Sequence, residues 1–98
     1  MTILDTDVSY FDLIGKVTEK GAVKFISAEI YYKEDTPFAI IRLAAEGDSF
    51  YWHLLRLNLK TKKYDNINDF PLSIQNAVKG TEWEIYEIII TEMSRSHF

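Results

Sequence analysis

The chain has 98 residues, 47% hydrophobic and 27% charged, with a formal net charge of −4 and no cysteine. That is enough for one domain over residues 1–98 with one hydrophobic core, and too apolar for a disordered segment. Disulfides, thiolate catalysis, Cys-ligated zinc and iron–sulfur clusters are excluded.

Residues 1–7 contain no basic stretch leading into an apolar run, so no targeting leader is expected there. Runs such as Ile88-Ile89-Ile90 fall far short of the about 20 residues that span a bilayer, and a cytoplasmic protein without membrane association is expected. Over residues 8–20, Val8, Tyr10, Phe11, Leu13, Ile14 and Val17 cluster on one arc of a helical wheel, opposite Ser9, Asp12, Lys16 and Glu19. This predicts an N-terminal amphipathic helix, capped by Asp5 or Asp7 and ended at Gly21. Gly15 weakens it by about 1 kcal/mol relative to alanine. A hairpin over residues 15–25, turning at Thr18-Glu19-Lys20-Gly21, is the alternative.

The pattern then changes period. Residues 22–33, 38–46 and 49–60 are rich in Ile, Tyr, Phe, Trp and Leu, and are separated by Glu34-Asp35-Thr36-Pro37 and Gly47-Asp48. Connections this short cannot form parallel crossovers, so the segments predict an antiparallel meander. One face would carry Ile26, Ala28, Ile30, Tyr32, Ala39, Ile41, Leu43, Ala45, Tyr51, His53, Leu55, Leu57 and Leu59, which makes it the core face. The other would carry Phe25, Ser27, Glu29, Tyr31, Lys33, Phe38, Ile40, Arg42, Glu46, Phe50, Trp52, Leu54, Arg56 and Lys60, a mixed set.

After a polar connection over residues 61–69, Pro71 can open a short second helix over residues 72–79 with Gly80 at its exit. Two patterns compete over residues 81–93. Thr81 and Glu84 have capping-box spacing, and Trp83, Ile85, Tyr86, Ile88, Ile89, Ile90 and Met93 share a helical arc. The β-branched run Ile88-Ile89-Ile90-Thr91 disfavours a helix, and Glu82, Glu84, Tyr86, Ile88 and Ile90 fit one strand face. That run tips the expectation to a final strand. The predicted class is therefore α+β, an antiparallel meander of three to five strands with an N-terminal helix and a short second helix packed on it.

Candidate chemistry is sparse. His53 and His97 are the two histidines, neither at ligand spacing with other residues, so no metal site and no cofactor are expected. His53, among Tyr51, Leu55 and Leu57, reads as a core-edge residue. Gly15, Gly21, Gly47 and Gly80 are too scattered for a phosphate cradle, and no serine lies in a nucleophile setting. Lys60, Lys62, Lys63 and Tyr64 form the one basic cluster, and the acidic balance disfavours nucleic acid.

The second sheet face stands out, because its aromatic and apolar residues would expose several hundred Å² if left uncovered: either the second helix or the chain ends cover it in a three-layer fold, or it is an interface. Trp, Tyr and Arg are the types that carry interface energy, which makes Glu29, Tyr31, Arg42, Phe50, Trp52 and Arg56 the candidate binding residues. The expected function is non-enzymatic: a small acidic protein-binding domain that inhibits or neutralises a protein partner, in the manner of immunity proteins, antitoxins and anti-defence inhibitors. A basic partner is expected from the net charge, and a homodimer across the face is equally consistent. The alternative is a small-ligand domain or compact enzyme, with His53, Tyr51, Glu29 or Arg42 in a pocket between sheet and first helix.

Overall fold

A computed structural model describes residues 10–17, 23–45 and 52–95, and for Phe11, Trp52 and Arg95 the backbone alone. In chain order these form β1 (Tyr10–Asp12), β2 (Val23–Lys33), β3 (Thr36–Ala45), β4 (Trp52–Asn58), β5 (Lys63–Tyr64), a 3-10 turn (Ile67–Asp69), α1 (Leu72–Val78) and α2 (Glu82–Arg95). The strands make one antiparallel sheet in the order β1-β2-β3-β4-β5. The predicted meander is thus its centre, with a short strand added on each side.

Local chemistry sets the turns. Lys33 pairs with Thr36, which leaves Glu34 and Asp35 as the loop, with Glu34 in the left-handed region at φ 52°. Between β4 and β5 the Asn58 carboxamide oxygen accepts from the Lys60 and Thr61 amides at 2.8 and 3.0 Å, a side chain substituting for a backbone turn. Gly80, at φ 86°, lets the chain leave α1 and enter α2 directly.

The core lies between one sheet face and the two helices. Ala28, Ile30, Ala39, Ile41, Leu43, Leu55, Leu57 and Leu59 are buried there, as the alternation predicted, with Ile74 and Val78 from α1 and Ile85 and Ile89 from α2. β2 departs from the simple alternation. A bulge between Phe25 and Ser27 places Phe25 opposite Leu43 and Ser27 opposite Arg42. One extra residue reverses the side chains that precede it. Phe25 therefore belongs to the core, only 1% exposed, and is removed from the mixed face. Ile26 is only half-buried, and Tyr32 is 63% exposed at the hairpin end.

Two expected elements are corrected. Tyr10–Asp12 is a strand edge paired to Ser27, Ala28 and Glu29, not part of an N-terminal helix. Gly15, at φ 79°, stops helical propagation. The turn around it buries Leu13 and Val17, the same apolar residues that imitate a helical arc, and the Leu13 amide bonds the Ile26 carbonyl at 2.8 Å. The remaining positions of that expected helix, residues 8, 9 and 18–20, lie outside the described residues, as does the Gly47-Asp48 turn. The alternative hairpin puts its first strand from residue 15, where the chain turns instead, and its Thr18-Glu19-Lys20-Gly21 turn lies outside the described residues. The second correction is at the C-terminal end: Glu82–Arg95 is a helix rather than a strand. Ile85 and Ile89, one turn apart, are fully buried against the sheet, and tertiary burial outweighs the intrinsic preference of β-branched residues.

Candidate binding face

The two helices cover the inner sheet face, and among the described residues no helix packs on the outer one. Strand register lays out the outer face in rows. Tyr10, Glu29, Ile40 and Arg56 are successive cross-strand neighbours from β1 to β4, as are Asp12, Ser27, Arg42 and Leu54; Tyr31 is followed by Phe38 and Asn58. Tyr10 and Leu54 are 57% and 46% exposed, so the face is apolar as well as charged.

Its organised centre is an aromatic and guanidinium cluster. The rings of Tyr31 and Phe38, cross-strand partners, stack at 5.5 Å between centroids. The Arg56 guanidinium lies 5.8 Å from the Phe38 centroid, and Phe38 is only 8% exposed; Ser27, between Asp12 and Arg42 on the same face, is 3% exposed. Arg56 Nε donates to Asp65 Oδ1 at 2.5 Å. That bond pushes the guanidinium pKa above its ordinary value against a smaller opposing effect of desolvation, with Tyr31 adding a lesser contribution. Asn66 fixes the strand beneath: its Oδ1 accepts from the Arg56 amide at 2.8 Å and its Nδ2 donates to the Leu54 carbonyl at 3.0 Å. The side chain acts as a fragment of strand along the β4 edge and holds Leu54 and Arg56 in place.

Of the candidate residues, Glu29, Tyr31, Arg42 and Arg56 share this face. Phe50 lies outside the described residues; Trp52 is placed by its backbone at the start of β4, opposite Ala44. Four further residues contribute to this face: Tyr10, Leu54, Ile40 and Asp65. Tyr10, which the helical wheel places on an apolar arc, is on β1 opposite Glu29. Leu54 and Ile40 were read on this face but not singled out. Asp65, nine residues from Arg56 beyond a turn, gives no local signal because only the β4–β5 reversal brings the two together.

The residues of the alternative pocket do not converge. His53 is opposite Leu43 on the helical side, its ring 5.8 Å from that of Phe70, whereas Glu29 and Arg42 belong to the other side of the sheet. Tyr51 lies outside the described residues, and the segment meant to close the pocket contains β1. Open grooves occur elsewhere among the described residues. One of about 350 Å³ is lined by Lys16, Glu87, Ile88, Thr91 and Glu92, and another of about 340 Å³ by Ile14, Gly15, Val17, Lys24 and Phe25. Neither contains a candidate site residue.

Charge divides between the two sides. Asp12, Glu29 and Asp65 share the sheet side with Lys24, Lys33, Arg42, Arg56 and Lys63, whereas Glu82, Glu84, Glu87 and Glu92 are on α2, where Lys16 lies 3.6 Å from Glu92 and Lys62 sits over the Trp83 and Tyr86 rings. Among the described residues no helix is long and apolar enough to cross a membrane. No protein-family model, curated protein or solved structure matches the chain.

Proposed function

We propose that the chain is a protein-binding domain of the inhibitor or neutraliser type, which occludes a partner with the outer face of its sheet. The observation that carries this reading is that face itself: a four-strand surface with Tyr10, Ile40 and Leu54 around a Tyr31–Phe38–Arg56–Asp65 cluster, left open by α1 and α2. Aromatic and arginine side chains contribute most at interfaces when they are already held in their bound geometry. Arg56 is held in this way by Asp65 and Phe38.

Charge refines the partner. The acidity that would attract a basic protein is on α2, behind the sheet, so the expectation of a basic partner belongs to the helical side. A patch that fits the outer face carries carboxylates opposite Arg42 and Arg56 around an apolar centre.

The test is site-specific photo-crosslinking in the native host, with the probe at Leu54 or at Ser73, an exposed α1 residue on the helical side. A heterologous protein is expected to be captured from position 54 and not from 73, with the yield falling at least about tenfold in Arg42→Glu, since truncating or reversing an interfacial charge is costly. Capture from position 73 alone, or capture indifferent to Arg42→Glu, overturns the reading.

A further inference from the structure

The outer face has a polarity that suits a second copy of itself. In its two central rows the acids Asp12 and Glu29 are on β1 and β2 and the arginines Arg42 and Arg56 on β3 and β4, with Lys24 and Lys33 towards the ends of β2 and Asp65 bonded to Arg56. An isologous interface must be self-complementary about a two-fold axis. Take that axis along the strands, between β2 and β3. It places β1 and β2 of one copy over β4 and β3 of the other. Asp12 then lies over Leu54 and Glu29 over Ile40, each one row from an arginine of the other copy, Arg56 and Arg42 respectively, twice over. In the same arrangement Tyr10 faces Arg56, and Tyr31 faces Phe38, a pairing these two side chains already make within one chain at 5.5 Å. The opposite hand of docking, with the axis across the strands, sets like charges over each other and is disfavoured.

We infer that the sheet face docks a second copy of this chain in this two-fold manner, and that the homodimer masks the surface assigned above to a partner. The masking role rests on that functional reading; the dimer does not. At about 4.8 Å between strands and 3.4 Å per residue, seven residues each of β2, β3 and β4 and the three of β1 give a face of about 400 Å², so two copies bury on the order of 800 Å². That is below the standard size of a specific interface and within the range of weak, transient ones. A reversible dimer follows, one that a better-matched partner displaces.

Sedimentation velocity over a dilution series of the purified full chain reads this directly. The wild type is expected to shift from dimer to monomer on dilution. Glu29→Arg alone and Arg42→Glu alone are each expected to weaken association at least about tenfold, because each sets like charges together. Mixed in equal amounts, the two variants are expected to recover association to within a few-fold of wild type, since every reversed charge then meets its opposite. A variant that merely misfolds cannot be rescued by a second defective variant, and circular dichroism of each confirms the fold. A wild type that stays monomeric at all concentrations, or a mixture no better than either variant alone, overturns the dimer. Heterologous capture from position 54 that persists beside a strictly monomeric chain leaves the partner reading standing and removes only the dimer; a dimer with no heterologous adduct does the reverse.

Discussion

Tyr64 shows how one polar contact can fasten the helical layer to the sheet. It is 7% exposed, and its hydroxyl lies 2.6 Å from Thr81 Oγ1, which itself donates to the Val78 carbonyl at 2.6 Å. The chain therefore links β5, the end of α1 and the entrance to α2. The two partners are not equivalent. Tyr64→Phe removes the phenol and leaves Thr81 its bond to Val78, at an expected cost of about 1 kcal/mol. Thr81→Val strands a buried phenol as well, and the expected cost rises to about 1–3 kcal/mol. Urea unfolding orders the two variants, and equal costs would show that the phenol reaches water when Thr81 is gone. Burial also pushes the Tyr64 pKa well above its ordinary value, with the Thr81 bond opposing and Glu82 and Glu84 reinforcing the rise. A raised folded-state pKa means that the unfolded chain releases its proton first. The contribution of Tyr64 is thus complete below the ordinary tyrosine value of about 10 and is lost as pH rises through it. Stability measured above that pH is expected to fall less steeply in Tyr64→Phe than in wild type.

Among the elements, α2 separates propensity from context. Ile85 and Ile89 are fully buried and one turn apart, while Ile90 is 36% exposed. Ile85→Ala and Ile89→Ala are each expected to cost about 2–5 kcal/mol, the range for emptied core positions. Ile90→Ala is expected to stay within about 0.5 kcal/mol. A strand on the face formed by Tyr86, Ile88 and Ile90 would invert that order, so chemical denaturation of these variants distinguishes the two structures. The contrast also explains which elements the sequence makes legible. β2, β3 and β4 are readable because alternation and turn residues agree, and α1 because Pro71 and Gly80 bracket it. α2 is not, since its β-branched run resists a helix locally and only the sheet beneath Ile85 and Ile89 overrides it. β1 is hidden for the opposite reason: Leu13 and Val17 are buried from an irregular turn, and a helical wheel cannot distinguish that from an amphipathic face. The Phe25 bulge has no local marker, so a correct strand assignment still put that ring on the wrong side. The binding face was legible as far as alternation reached, which included Glu29, Tyr31, Arg42 and Arg56. Asp65 and Asn66 join it through a chain reversal that no period encodes.

At the scale of the molecule, the net charge of −4 is not spread evenly, and that decides what it can do. The acids of α2 and the arginines of the outer sheet face are on opposite sides of a body whose shortest extent is 24 Å. At physiological ionic strength exposed charges are screened over about 8 Å, so each side interacts as its own surface rather than as part of one averaged charge. Glu84→Lys combined with Glu87→Lys is therefore expected to weaken low-salt binding of a decalysine peptide several-fold, while leaving sheet-mediated dimerisation within about twofold of wild type. Isothermal titration with the peptide and sedimentation of the same sample measure the two effects side by side. Were dimerisation to strengthen as peptide binding fell, net repulsion between whole molecules would govern association, and the division of acids and arginines across the outer face would not be what sets its geometry. Independence of the two readouts would mean that one small domain presents two differently charged surfaces, an acidic helical one and an aromatic, arginine-bearing one, each able to select a partner without reference to the other.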